Sequence, residues 1–235
     1  MKVPRNPYPA DSPPLPMCGR FTIAPLVDLF DRFHVPERVP LTLPRYNVAP
    51  SQEVPVVIRD GGNRIAMMRW GLVPSWTKEL RDARKPINAR AETLTERPTF
   101  RGPLRHHRCL VPSTGFYEWK KEGSGKVPYF IHLKGGALFA FAGLFDVWKD
   151  PSGAGLGTFT IITTAPNRTL SPIHDRMPAI LKEADEEGWL QPGPLEPAIL
   201  AGILAPYPDG TLEAYRVSPQ VNSPASDVPD LVVPV

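Results

Sequence analysis

Six short runs rich in Val, Ile, Phe and other apolar residues fill the middle of the chain, and clusters of Gly, Pro, Asn or Asp separate them. They are Val54–Arg59, Arg64–Leu72, Arg108–Trp119, Pro128–Leu133, Ala137–Trp148 and Thr158–Pro166. Runs of this length and composition read as strands, and the breaks between them read as turns. Gly61–Asn63 and Glu122–Lys126 have the glycine content of hairpin loops. With 31 prolines the chain has many fixed turns, which suit loops that must hold residues rigidly.

Around this β-rich centre, residues 18–25 predict a further short strand. Residues 25–35 predict a helix with Leu26, Leu29, Phe30 and Phe33 on one face, and 45–52 a turn-rich loop. Toward the C-terminus, Glu183–Leu190 and Leu195–Leu204 predict one or two helices. The class is therefore α+β, with a curved antiparallel sheet or barrel-like core flanked by helices. A content of 42% hydrophobic residues over 235 positions is enough for a sizeable core. No internal repeat or interior linker divides residues 17–235, so they are expected to form one domain.

The first sixteen residues are proline-rich and poor in apolar side chains, and are expected to be disordered. They lack the apolar stretch of a signal peptide, and no run in the chain is long enough to span a membrane. Two cysteines, Cys18 and Cys109, make no disulfide framework, and no Cys/His spacing suits zinc. A cytoplasmic protein with no metal and no cofactor is expected.

Charge is segregated along the chain. Between Arg81 and Arg108 eight basic residues face three acids, whereas from Lys182 to Val235 two basic residues face nine acids. Such a division suggests one surface turned toward a polyanion. Trp70 and Trp76 are interleaved with Arg69, Lys78, Arg81, Arg84 and Lys85. Aromatic faces stack on unpaired bases while cations follow phosphates. Core tryptophans would equally explain the pattern.

Several polar residues stand among apolar neighbours. Glu118, between Tyr117 and Trp119, is either a solvent-facing strand residue or a buried acid with its pKa raised toward a range useful for proton transfer. His174, followed by Asp175, is a turn histidine or an acid/base oriented by a carboxylate. Asn88 either caps a helix-like segment that follows it or donates to a reacting oxygen. Cys109 lies among strand formers and reads as a small buried residue. Cys18, preceding Gly19, has little steric cover. An N-terminal cysteine would place an amine of pKa near 8 beside its thiol, so that the amine condenses with an aldehyde and the thiol closes a thiazolidine.

Taken together, the segments 17–21 (MCGRF), 45–52 (RYNVAPSQ), 70–76 (WGLVPSW), 87–93 (INARAET), 108–120 (RCLVPSTGFYEWK), 141–146 (FAGLFD), 159–167 (FTIITTAPN) and 173–181 (IHDRMPAIL) resemble the SOS-response-associated peptidase family of abasic-site shielding proteins. The resemblance extends from Met17 to about Asn222 and implies a barrel-like α+β domain with a basic groove for single-stranded DNA, including single-strand/duplex junctions. It implies that Cys18 is the nucleophile that forms a covalent thiazolidine with an abasic site, shielding the lesion. Asn88 would hold the adduct, Glu118 would serve as acid/base beside the amine, and His174 would assist ring opening. Arg20, Asn47, Pro50, Trp70, Trp76, Arg90 and Arg176 would line the DNA groove or the pocket beside the cysteine. A monomer that joins the nucleoid when bound to DNA is expected.

Family members start Met-Cys, whereas sixteen residues precede Met17 here, and a blocked Cys18 nitrogen cannot form an imine. Either translation starts at Met17, the favoured reading because the extension is proline-rich, or the extension is removed by self-cleavage. Residues 1–16 are then absent from the mature protein. Two rival functions remain: a cysteine peptidase acting on other proteins through Cys18, His174 and Glu118, and a non-catalytic single-strand binder using Trp70, Trp76 and the basic segment.

Overall fold

The computed structural model describes residues 18–24, 29–42 and 44–235. The extension 1–16, Met17 and Leu26 lie outside them, as does their expected structure. In chain order the elements are β1 (Arg20–Ile23), α1 (Leu29–Arg32), β2 (Arg45–Val48), β3 (Glu53–Arg59), β4 (Asn63–Trp70), β5 (Asn88–Arg90), α2 (Pro98–His106), β6 (Arg108–Ser113), β7 (Gly115–Glu122), β8 (Gly125–Leu133), β9 (Phe139–Lys149), β10 (Gly155–Thr164), β11 (Met177–Pro178), α3 (Glu183–Leu190), α4 (Pro197–Ile203) and β12 (Leu212–Arg216).

Strands β10, β4, β3, β6 and β9 pair in that order, and β9 pairs back onto β10, which closes a five-stranded barrel. β5 and β11 extend β10 beyond the ring. The second sheet is antiparallel, in the order β12-β8-β7-β1-β2. The α+β, barrel-like expectation holds with one addition. β10 runs parallel to both β4 and β5, so closure uses a parallel contact, β10 to β4, that a chain of hairpins does not supply.

Both expected hairpins form. Arg59 pairs with Asn63, and Gly61 takes φ +70°; Glu122 pairs with Gly125, and Gly123 takes φ +58°. These are left-handed turn positions that glycine occupies without a Cβ clash. The single run at 108–119 is cut into β6 and β7 at Thr114, where the chain passes from the barrel to the open sheet. Gly115 permits this crossing, since a Cβ there would lie 2.2 Å from the Phe130 ring.

Three local expectations need correction. The stretch 45–52 begins as strand β2 before turning, because Phe21 and Ile23 offer it a ladder partner. The helix expected at 25–35 is confined to Leu29–Arg32 among the described residues, with Leu29 and Phe33 buried. The segment after Asn88 is one short 3-10 turn, Ala91–Thr93, and Asn88 itself belongs to β5, opposite Ile161, instead of capping a helix. The C-terminal helices form close to where they were expected, whereas α2 and β12 carried no signal strong enough to predict them.

The two sheets meet through aromatic side chains. Phe21 packs edge-on against Trp70 at 5.2 Å and against Phe141 at 5.9 Å, and Phe116 meets Phe141 at 5.8 Å. Such contacts add specific geometry to area burial. On the far side of the open sheet a second apolar cluster, Tyr117, Trp119, Phe130, Val217, Val221 and Leu231, is covered by the C-terminal segment. Both faces of β7 are therefore covered, and this decides the environment of Glu118.

Candidate active site

Side chains two apart on a strand share a face, so Glu118 projects on the same side as Phe116, toward the barrel, while Tyr117 and Trp119 face the C-terminal segment. Glu118 is only 2% exposed. β1 pairs with β7 through Arg20↔Tyr117 and Phe21↔Phe116, which brings Cys18, just before β1, to Glu118. The Cys18 backbone N–H donates to Glu118 Oε1 at 2.7 Å, and the Cys18 thiol is hydrogen-bonded to the same side chain. Cys18 holds φ +45°.

Electrostatics follow from this burial. Desolvation pushes the Glu118 carboxyl above the usual carboxylate range, against the pull of the nearby His174 and of hydrogen bonds from Cys18 and Trp119. Burial, reinforced by the Glu118 charge, holds the Cys18 thiol well above its ordinary value, with Arg176 acting in the opposite sense. The resting thiol is thus protonated, and the group able to take its proton is already in contact.

His174 follows a short turned segment in which its N–H donates to Leu170 O at 2.9 Å. Its Nδ1 accepts from the Arg176 backbone N–H at 3.1 Å and lies 2.9 Å from Asp175 Oδ1. Arg176 spans the site edge, donating through both terminal nitrogens to Glu92 and through Nη2 to Thr163 O. The Glu92 carboxyl is held below its usual range chiefly by this bond. Thr163 in turn lies beside Arg90 of β5, two residues beyond Asn88. Cys18 and Glu118 therefore touch, His174 and Arg176 are close enough to act on them electrostatically, and Asn88 and Arg90 are carried on the neighbouring strand.

The residues expected to touch DNA divide into two groups. Trp76 is 67% exposed, Arg90 is exposed and Pro50 is half-buried in a turn. Arg20, Asn47 and Trp70 are instead interior, away from an open surface. Arg20 donates to Asn47 Oδ1 and to the carbonyls of Val221 and Asn222. Asn47 donates to Val221, Ser223 and Ser226. Trp70 is 1% exposed and gives its indole N–H to Ile87 O. Polar atoms this buried need protein partners, and these three side chains spend theirs on structure.

Trp76 stands at a cleft of about 970 Å³ whose walls include Lys78, Arg84, Lys85 and Phe100. Its loop is anchored from β9: Ser75 N–H donates to Asp146 Oδ2 at 2.8 Å, and the Trp148 indole donates to Thr77 O at 2.7 Å. Although burial opposes it, hydrogen bonds from His107, Ser75 and Val147 hold the Asp146 carboxyl below its usual range. Asp146, Trp148 and Glu92 escaped the sequence reading, since each acts across a distance that no local pattern marks. Cys109 is fully buried in the barrel wall. Among the described residues no group of three His, Cys, Asp or Glu side chains could hold a metal, and no helix is long and apolar enough to cross a membrane.

Comparison with known proteins adds a consistent picture. The family described as SOS response associated peptidase (SRAP) matches residues 17–224. The abasic site processing protein YoqW of Bacillus subtilis is 47% identical over 221 residues, covering 92% of this chain and 99% of the relative. The abasic site processing protein HMCES of Gallus gallus is 36% identical, covering 82% of this chain and 66% of its own. A crystal structure of a Bacteroides thetaiotaomicron protein superposes with a TM-score of 0.74 at 36% identity, covering 81% of this chain and 85% of that one.

Proposed function

Because the chain belongs to the SOS response associated peptidase family, we propose that it captures abasic sites in single-stranded DNA, including strands next to a duplex junction, as a covalent thiazolidine on Cys18. The relatives named abasic site processing proteins supply the substrate class. The observation that carries the chemistry is the contact of one buried carboxyl, Glu118, with both the nitrogen and the thiol of Cys18.

The steps balance as follows. With Cys18 as first residue, its unprotonated amine adds to the C1 aldehyde of the ring-opened sugar, and the carbinolamine loses water to give an imine. The sulfur then adds to the imine carbon, its proton ends on the ring nitrogen, and a five-membered thiazolidine closes. Glu118, placed against both atoms, moves these protons. His174, acting from beside Glu118, protonates the sugar oxygen during ring opening, and Asn88 holds the adduct. Burial excludes bulk water, so that ring closure outruns strand cleavage. Trp76, Arg90 and Pro50 contact the strand outside the pocket, with Arg176 at its edge.

The same burial disfavours a peptidase acting on other proteins, which would need an activated thiolate. The Cys18 nitrogen is a peptide nitrogen while Met17 precedes it, so this function requires residues 1–17 to be absent, through initiation at Met17 and methionine removal or through self-cleavage.

Two measurements test the reading. Protein purified from its own host should have an intact mass that begins at Cys18; retention of Met1 to Met17 would sink the mechanism. On a denaturing gel, wild-type protein should form a covalent band with an abasic single strand and none with an intact one, and Cys18→Ala should abolish that band.

A further inference from the structure

The strands β1 and β7, beside and beneath the reacting pair, are tied together from behind by a segment far from both in sequence, with separations of 201 residues from Arg20 and 103 from Trp119. At Pro219–Asn222 the chain makes a 3-10 turn capped by Ser218, the side chain of which accepts from Gln220 N–H. Arg20, two residues after Cys18, donates to Val221 O at 2.6 Å and to Asn222 O at 3.2 Å. Trp119, one residue after Glu118, donates its indole N–H to Asn222 Oδ1 at 2.8 Å. Asn47 of the next strand donates to Val221, Ser223 and Ser226 carbonyls. Asp227 anchors the far end by accepting from Arg45 and from the Tyr46 and Asn47 backbone N–H groups. Val221 itself is fully buried against Tyr117 and Trp119.

We propose that this strap is a positioning device for the covalent step, with Asn222 its central residue: by gripping β1 through Arg20 and β7 through Trp119, it sets the contact between Cys18 and Glu118. The inference rests on the reaction proposed above. A carboxyl that must serve both nitrogen and sulfur tolerates little displacement, and a misplacement of about 1 Å can cost roughly 100-fold in rate. The strap touches neither substrate nor reacting atoms, and it lies on the face of the sheet opposite Glu118. Its loss should therefore slow chemistry and leave DNA affinity alone.

The experiment compares wild type, Asn222→Leu, Trp119→Phe and the double variant as full chains expressed in the native host, each verified to begin at Cys18. Two quantities are measured: the rate of covalent capture at saturating abasic single strand, and the affinity for the same strand carrying an unreactive tetrahydrofuran analogue. Alkylation of the buried Cys109 reports unfolding. We expect capture to slow about 10- to 100-fold, affinity to stay within about twofold and Cys109 to remain protected. The double variant should be no slower than the slower single one, because both delete the same bond. Capture at the wild-type rate overturns the inference, and so does a loss that scales with Cys109 alkylation or that appears in affinity. A Cys18→Ala control separates the two readings. If that variant still captures DNA, the thiazolidine reading fails and the strap's role fails with it; if it is inert while Asn222→Leu is unimpaired, only the strap's role fails.

Discussion

Arg108, buried at 4% exposure, offers a quantitative test of how the barrel is held to its helices. Its guanidinium donates to Trp189 O and Leu104 O at 2.5 Å, to Gly193 O at 2.8 Å and to Gln191 O, and lies over the Trp189 ring. Leu104 and Trp189 belong to the last turns of α2 and α3, so one cation serves the C-terminal ends of two helices. Burial lowers the guanidinium pKa, which marks the desolvation it suffers. In Arg108→Met the Leu104 and Trp189 carbonyls, both buried, would lose this partner at about 1–3 kcal/mol each. The other two carbonyls are partly buried and accessible to water. Loss of favourable interaction with two helix C-termini adds about 1 kcal/mol, and relief of the desolvation of a buried charge offsets part of the total. We expect a net loss of about 3 kcal/mol, which for a domain of this size lowers Tm by roughly 6–12 °C. Thermal and urea unfolding at pH 7 measure it, with Arg108→Lys as companion. A lysine keeps the charge but cannot span four carbonyls, so it should recover less than half of the loss. A Tm within about 2 °C of wild type for Arg108→Met, or full recovery by lysine, would refute the reasoning.

Two further predictions address the site and the DNA surface. The folded Glu118 pKa is raised above its unfolded value of about 4.3, so between that value and the elevated one the native state binds more protons and stability falls as pH rises. Glu118→Gln should therefore match or exceed wild type in Tm at pH 7.5, with its advantage shrinking toward pH 4, while covalent capture is lost; a lower Tm that is independent of pH would contradict this. Trp76→Ala should leave Tm unchanged, because the side chain is 67% exposed, yet weaken single-strand binding about 10-fold, the scale of one stacked base; unaltered affinity in a fluorescence titration would remove Trp76 from the DNA surface.

Much of the architecture was legible from local chemistry. Strand runs and the hairpins at Gly61 and Gly123 follow from short runs rich in Val, Ile and Phe and from glycine at left-handed turns, and the helix Glu183–Leu190 carries acids in its first turn. The motifs around Cys18, Glu118 and His174 marked the family, since each couples a chemically capable side chain to an unusual local setting. What local pattern leaves open is which layer covers each face of a strand. Glu118 alternates with Tyr117 and Trp119 whether the sheet faces water or protein; only packing on the barrel and the strap at Val221 make it a buried acid. The family resemblance put Arg20, Asn47 and Trp70 at the groove or at the pocket beside the cysteine, and only tertiary packing shows them to be interior, where their polar atoms satisfy distant carbonyls and strand partners. Asn88 became a strand residue because Ile161 offered a parallel ladder, a long-range pairing that overrides a capping preference. The sequence alone thus determined most of the elements and the candidate residues of the site. Their burial, and with it their protonation, was decided by contacts between segments far apart in the chain, because desolvation depends on the whole shell around a group.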